Sequence, residues 1–382
     1  MKKIAVILVF CIAFLSQTKA NEDVQRLIKE GIELHGEGEY QQAIERYNEA
    51  LQLDPANILA IYEMSLSYLA MGDYENAIKF STQVIESDDQ TLTIGAYAIK
   101  SEALYALDRV DEAIKLLENA LERHENEYLL HFNLALKHYR KNNLYHTLFH
   151  VRRAIDIDKS HSEAFLLYAY ALNDSGLWLS SIFAFQIFLL LEPDSRRSVS
   201  AFEELLRTMR ISTSSEEGVE RSFIQQPAGR DQSPSGYMIS PTEIPPLGIE
   251  NGINRFLIFS AITVALDSLT AASLDDDLFT VFKTVNREII TLLDAENDGS
   301  EERMCKFWTF YVPFFAHIVR SEHYETFCRY ISVSYLPESF EWWQDNPEYA
   351  ENFVLWFSEG DEEIEKDVID SDLSATEAIH EQ

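Results

Sequence analysis

Four histidines crowd one stretch of the chain: His131, His138, His146 and His150. His146 and His150 are one helical turn apart, a spacing at which two imidazoles can share a metal ion. Packing or simple exposure is the commoner fate of such a group, and the sequence predicts no metal site and no cofactor. Around them stand Lys137, Arg140, Lys141, Arg152, Arg153 and Lys159, opposed only by Asp156 and Asp158. A basic patch in an acidic chain suits an acidic partner segment, the chain's own C-terminal tail included. Asp294-Ala295-Glu296-Asn297-Asp298-Gly299 has the opening of a calcium loop. Its twelfth position is Cys305, not the bidentate glutamate the ion requires, so it reads as an acidic turn. If Cys305 and Cys328 lie on antiparallel helices that turn near Ser321, they are offset by about 13 Å along the axes. That is too far for a disulfide, and two buried free thiols are expected. Glycine-rich phosphate loops, His-Glu-x-x-His and Cys-x-x-Cys are all absent. No residue set assembles a reaction centre, and the chain is expected not to be an enzyme.

What positions these residues follows from composition and pattern. The chain has 382 residues, of which 46% are apolar, enough for two or three domains and against wholesale disorder. The net charge is −33, heaviest in the C-terminal half, which argues against nucleic acid as a partner. Lys2 and Lys3, the apolar run Ile4 to Leu15 and the small residue Ala20 have the order of a secretory signal peptide. The run is about 12 residues, short of the roughly 20 that a membrane span needs. An exported chain starting at Asn21 is expected, periplasmic or extracellular, with no transmembrane segment in the mature chain.

A period of 34 organises residues 24–195. Gly38-Glu39-Tyr40-Gln41-Gln42-Ala43-Ile44 aligns with Gly72-Asp73-Tyr74-Glu75-Asn76-Ala77-Ile78. Asp108 to Ile114 follows after 36, so two residues are added near Asp89 to Thr93. Asn142-Asn143-Leu144 and Gly176-Leu177-Trp178 then resume the period of 34. Each turn is flanked by two apolar-periodic stretches, which predicts five helical hairpins. Small residues recur in the first helix at Gly31, Ser65, Ser101, Ala135 and Ala169. They recur in the second at Ala43, Ala77, Ala113 and Ser181, with Thr147 in the fourth place. Small residues let paired helices approach, and large ones a turn away fill the notch.

These residues resemble the tetratricopeptide repeat (TPR), with the fourth and fifth copies the weaker matches. The fold expected is all-α: a TPR-like solenoid of about five helix pairs over residues 21–210 with a capping helix at Ala201 to Met209, plus a C-terminal helical module. The resemblance implies that first helices line the concave side. The positions that usually face it are Ile28, Ile32, Tyr62, Leu66, Ala98, Glu102, Phe132, Leu136, Leu166 and Tyr170; the nine candidate partner-binding residues are Ile28, Ile32, Tyr62, Leu66, Glu102, Phe132, Leu136 and Tyr170, with Arg140 of the basic patch. The lysine, asparagine and arginine set that grips a terminal carboxylate in some TPR domains is absent. A hydrophobic or helical ligand is therefore expected.

The second helix of repeat five, Ile182 to Leu191, is apolar nearly all round, although a solenoid end should be polar outward. That predicts an intramolecular contact between repeat five and the C-terminal module. Residues 211–250 are rich in proline and serine and read as a linker. Residues 251–357 return to helical periodicity, with helices expected at 252–270, 275–295, 300–320, 322–335 and 347–357. Phe307, Trp308, Phe310, Tyr311, Phe314 and Phe315 crowd one of them. Residues 358–382 form an acidic tail. The segments Lys306 to Phe315 and His323 to Ser332, together with the repeats, resemble exported bacterial TPR proteins with an aromatic helical extension, which implies export and no reaction. Two functions stand open. One is an exported scaffold that binds a protein or peptide on the concave face. The other is a glycan-binding or enzymatic C-terminal module with the repeats as its docking part. A groove occupied by the chain's own linker is a third arrangement.

Overall fold

The structure is a computed structural model, described here for residues 21–209, 211, 255–272, 277–300, 303 and 305–357. The expected signal peptide, nearly all of the expected linker and the expected acidic tail lie outside the described residues. All regular elements among the described residues are helices. Contacts divide the chain into two units, Met1–Lys159 and Ser160–Gln382. The division falls between the fourth and fifth hairpins.

The first unit holds four hairpins. Their helices are α1 (21–36) with α2 (Tyr40–Leu53), α3 (Ile58–Met71) with α4 (Tyr74–Ser87), α5 (Thr93–Ala106) with α6 (Val110–Leu121), and α7 (Tyr128–Arg140) with α8 (Leu144–Ile157). The turns carry the period in their backbones. Gly38, Gly72, Asp108 and Asn142 all have positive φ, between 56° and 84°. This left-handed residue ends the first helix. Glycine takes it without strain, and asparagine and aspartate tolerate it. The two added residues form a distinct turn, where Asp88 is also left-handed and the Asp89 carboxylate accepts from the N–H groups of Thr91 and Leu92.

The small positions are the contact points of the pairs. Ser65, Ser101 and Ala135 of the first helices, and Ala43, Ala77, Ala113 and Thr147 of the second, are completely buried. At Gly31 a Cβ would stand 2.3 Å from the Tyr47 ring, so the missing methyl is what lets α1 and α2 close. The core of this pair is Val24, Leu27, Ile28, Ala43, Ile44, Tyr47 and Ala50 with Ala60 and Met64. Buried hydroxyls are spent on their own helices: Ser81 donates to the Ala77 carbonyl at 2.6 Å and Thr147 to that of Asn143 at 2.8 Å.

The second unit opens with the fifth hairpin, α9 (Ser162–Asp174) and α10 (Trp178–Leu191), followed by α11 (Arg196–Thr208). The remaining helices are α12 (Arg255–Ala271), α13 (Leu278–Glu296), α14 (Val312–Arg320), α15 (Tyr324–Ile331), α16 (Pro337–Asp345) and α17 (347–357). Gly176 repeats the left-handed turn at φ 75°. The helix expected over 300–320 is instead a loop through Ser300, a π-helical turn over Phe307–Tyr311 and then α14. α16 falls where no helix is expected. Pro337 opens it in the first turn, where a proline costs nothing.

α10 has no outer face. Leu179, Ile182, Phe183, Phe185, Gln186, Phe188 and Leu189 are all buried. Phe183 stacks on Phe315 with ring centroids 4.7 Å apart and lies 5.5 Å from Phe307. Phe202 of α11 meets Phe282 edge-on at 5.0 Å. Gln186 donates to the Asn286 side-chain carbonyl at 3.0 Å and accepts from its amide at 3.1 Å. Both side chains are completely buried, so this reciprocal pair satisfies two amides that would otherwise be costly inside an apolar core.

Candidate functional site

α5 and α7 carry the most charged contact on the first-helix face of unit one. The Lys137 side chain is completely buried and its ammonium donates to the Glu102 carboxylate. Arg140, one turn on, donates to the other oxygen of Glu102 at 3.3 Å. The Tyr105 ring underlies both cations, 4.0 Å from the Arg140 guanidinium carbon and 5.1 Å from the Lys137 nitrogen. Burial opposes ionisation of Glu102, but hydrogen bonds and charge from Lys137 and Arg140 outweigh it and lower its pKa. Burial pulls Lys137 down against the opposing pull of Glu102. A buried ammonium touching a carboxylate held in its ionised form is an ion pair, and removal of either partner strands a charge.

The other residues expected on this face separate by burial. Ile32 is exposed, and Tyr62, Leu66, Phe132 and Leu136 are half-buried. Ile28 is 4% exposed and packs in the core of the first pair, so it supports the face rather than lines it. Tyr62 fills the space left by Gly95, where a Cβ would stand 2.4 Å from its hydroxyl. Tyr170 lies in the second unit, half-buried, with its ring edge-on to Phe185 at 5.2 Å. Of the nine positions, only Glu102 and Arg140 are joined by a direct bond. Lys137 and Tyr105 complete their cluster. Lys137 follows Glu102 by 35 residues, one repeat and a step, so the period itself carried the signal that they face each other.

The four histidines also come together. His131 and His150 share a hydrogen bond between their Nδ1 atoms at 3.0 Å. The His138 ring lies 4.9 Å from that of His146 and 5.8 Å from that of His150. His131, His138 and His150 are buried, while His146 is exposed. Burial, then the neighbouring imidazoles, push His150 down to about 3, and burial, His146 and Lys141 push His138 down to about 4. His138 and His150 are thereby neutral at neutral pH.

The other chemical candidates are spent on structure. In the acidic turn, Asp294 pairs with Arg320, and Arg303 stands 3.7 Å from both Glu296 and Asp298. Its carboxylates answer guanidinium groups. Neither Cys305 nor Cys328 forms a disulfide. Cys328 is buried, which pushes its thiol up to about 12, whereas Cys305 is half-buried rather than buried. In the aromatic segment Phe307, Trp308 and Phe315 are core. No helix among the described residues is long and apolar enough to cross a membrane.

Five hairpins with a left-handed turn at one position, and small buried residues at two others, are now in place. Their arrangement resembles a tetratricopeptide-type helical array, and a C-terminal aromatic helical module follows it in the chain. Residues 37–120 match the family model for anaphase-promoting complex, cyclosome, subunit 3. The DnaJ homolog subfamily C member 7 homolog of Schizosaccharomyces pombe is 27% identical over 185 residues, 44% of this chain and 38% of the relative. The chain thus spans about two fifths of the length of that curated relative. Among solved structures, pilF of Pseudomonas aeruginosa is 16% identical, covering 50% of this chain and 85% of its own at a TM-score of 0.43. YrrB, described as a TPR protein with an unusual peptide-binding site, is 18% identical, covering 50% and 97% at a TM-score of 0.36.

Proposed function

We propose that this chain is an exported, non-enzymatic scaffold whose first-helix face, across α1, α3, α5 and α7, binds a protein or peptide. The Glu102, Lys137 and Arg140 cluster carries the reading. It sets one exposed, ring-stacked guanidinium on a face otherwise made of Ile32, Tyr62, Leu66, Phe132 and Leu136. Apolar positions of that kind supply area to an extended or helical peptide, and a fixed arginine supplies orientation. Export is supported by the charged start, apolar run and small residue of positions 2–20. The contacts of α10 and α11 with Phe282, Asn286, Phe307 and Phe315 support a bracing role for the C-terminal module. A glycan-stacking role for that module is less favoured, because Phe307, Trp308 and Phe315 of its aromatic segment are buried.

The test is selection of peptides against the full chain from a displayed random library. Selected peptides should lose binding to the Leu136→Glu and Arg140→Ala variants and keep it with Phe149→Ala, which changes an exposed ring on α8. Peptides indifferent to Leu136→Glu would place binding elsewhere and remove the proposal.

A further inference from the structure

In the second unit, Arg197 pairs with Glu192, Arg207 with Glu204 and Arg320 with Asp294. One face departs from this one-to-one pattern. Lys283 and Arg287 stand one turn apart on α13, and Arg329 on α15 shares a ring with the first of them. That ring is Phe279, buried in the core. Its centre lies 3.4 Å from the Arg329 guanidinium carbon and 5.3 Å from the Lys283 nitrogen. The buried Tyr324 ring underlies the third cation, 4.6 Å from the Arg287 guanidinium carbon. Rings held in a core fix the cations stacked on them. Among the described residues Glu325 alone answers the three. It accepts from Lys283 at 3.1 Å and stands 3.8 Å from Arg329, beyond a hydrogen bond. Arg287 is exposed and forms no ion pair with a described residue. Arg329 Nε is buried with no hydrogen-bond partner. The buried Cys328 thiol feels the imbalance: burial raises its pKa, Lys283 and Arg287 oppose that rise, and Glu325 adds to it.

We infer that the Lys283, Arg287 and Arg329 strip is the docking surface for the chain's own acidic segment, residues 358–382. Those residues lie outside the described ones and belong to the same unit. In sequence they carry ten Asp or Glu against one lysine, Lys366, and no arginine. The charges are complementary, and the place where the described chain stops puts the segment within reach. α17 runs to residue 357, and its Trp356 ring lies 5.2 Å from that of His317 and 4.9 Å from that of His323. His323 immediately precedes α15. The last described helix therefore ends beside the start of the helix that carries Glu325 and Arg329. An extended chain covers roughly 3.3–3.6 Å per residue, so Asp361 to Glu365 reach up to about 13–29 Å beyond Phe357. α15, with eight residues, is only about 12 Å long. Asp361-Glu362-Glu363 thus brings three carboxylates to three cations that share one. Each such pair is weak and screened by salt, so several act together and the segment leaves the strip as ionic strength rises. An acidic partner would compete for the same strip.

The experiment treats dilute full chain at low salt with a carbodiimide, which joins lysine amines to carboxylates in direct contact, and maps the links by mass spectrometry. The link from Lys283 to Glu325, made at 3.1 Å, serves as the internal standard. A second link is expected from Lys283 to a carboxylate between Glu359 and Asp372, confined to the monomer band. Arg287→Gln changes an exposed side chain, and circular dichroism checks that the fold is kept. Relative to the standard, the second link should fall about threefold in Arg287→Gln and by as much or more in about 0.5 M NaCl. Lys283 joined to Glu325 alone would overturn the inference. So would a segment joined to other lysines and not to Lys283, or a link that ignores both the variant and the salt. A link found only in the dimer band would assign the strip to a second copy and overturn it equally.

Discussion

The fourth and fifth hairpins use one motif to opposite ends. In both, a left-handed residue follows the first helix, at Asn142 and Gly176, and small residues close the pair. In the fourth, α8 keeps an outer face on which Tyr145 and Phe149 are exposed. In the fifth, α10 is buried on every side, down to Gln186. The repeat signature therefore specifies how two helices meet and leaves the rest of each helix free to choose its surroundings. An outer stripe that mixes His146 and Asp156 with those rings leaves a repeat with a free surface. An apolar one makes a repeat that must be covered.

The comparison is broken most severely by removal of the cover. A chain ending at residue 212 should expose Phe183 and Phe202 and aggregate, since each ring returns to water part of the about 150–250 Å2 that an aromatic side chain buries. A soluble monomeric truncation would mean that α10 does not need its cover.

Smaller in effect is the amide pair. Gln186→Leu leaves Asn286 unpaired in the core, and urea unfolding should report a loss of about 2–3 kcal/mol. Gln186→Leu with Asn286→Leu should recover most of it, because two apolar groups replace two satisfied ones. A single variant as stable as the parent would contradict the burial of the pair.

The closure of the first hairpin ranks next. Gly31→Ala puts a methyl against the Tyr47 ring and should cost about 1–3 kcal/mol. Gly36→Ala meets nothing within 4 Å and should be neutral or mildly stabilising, by up to about 1 kcal/mol. Equal melting temperatures for the two would deny the close approach.

The smallest effect is electrostatic. Burial disfavours the Glu192 carboxylate, but bonds from Arg197, Ser195 and Ser162 outweigh it and hold its pKa down at about 2. A depressed carboxylate stabilises the fold above its ordinary pKa, and that contribution is lost as pH falls from about 4.5 toward 2. Glu192→Gln should flatten that part of the stability profile, by about 1–2 kcal/mol. An unchanged acid limb would show that the bonds are not made in solution.

Much of the array was legible because its constraints are local. A turn needing positive φ selects glycine, asparagine or aspartate, and a tight crossing selects Gly31 or Ala43, so both leave marks at a fixed period. The all-round apolar character of α10 was equally plain. The helix boundaries of the aromatic segment were not, because a π-helical turn over Phe307–Tyr311 depends on what packs around it. α16 was missed because the proline that opens it looks, in sequence, like a stop. In the candidate site the period pointed to Glu102 and the basic patch to Arg140, but the burial of Ile28 depends on the core it shares with Tyr47. The histidine contacts were hidden for a similar reason. His131 and His150 sit on different helices, and their separation of 19 residues has no regular meaning until the hairpin forms.

Partners are proposed to dock on the first-helix face of the repeats. A photoreactive phenylalanine analogue at Leu136 in the full chain, compared with the same analogue at Phe149, tests it most directly in the cells that make the protein. Discrete cross-linked species should form from position 136 and be lost on adding Arg140→Ala, with none from position 149. Cross-links from 149 alone, or equally from both, would contradict it.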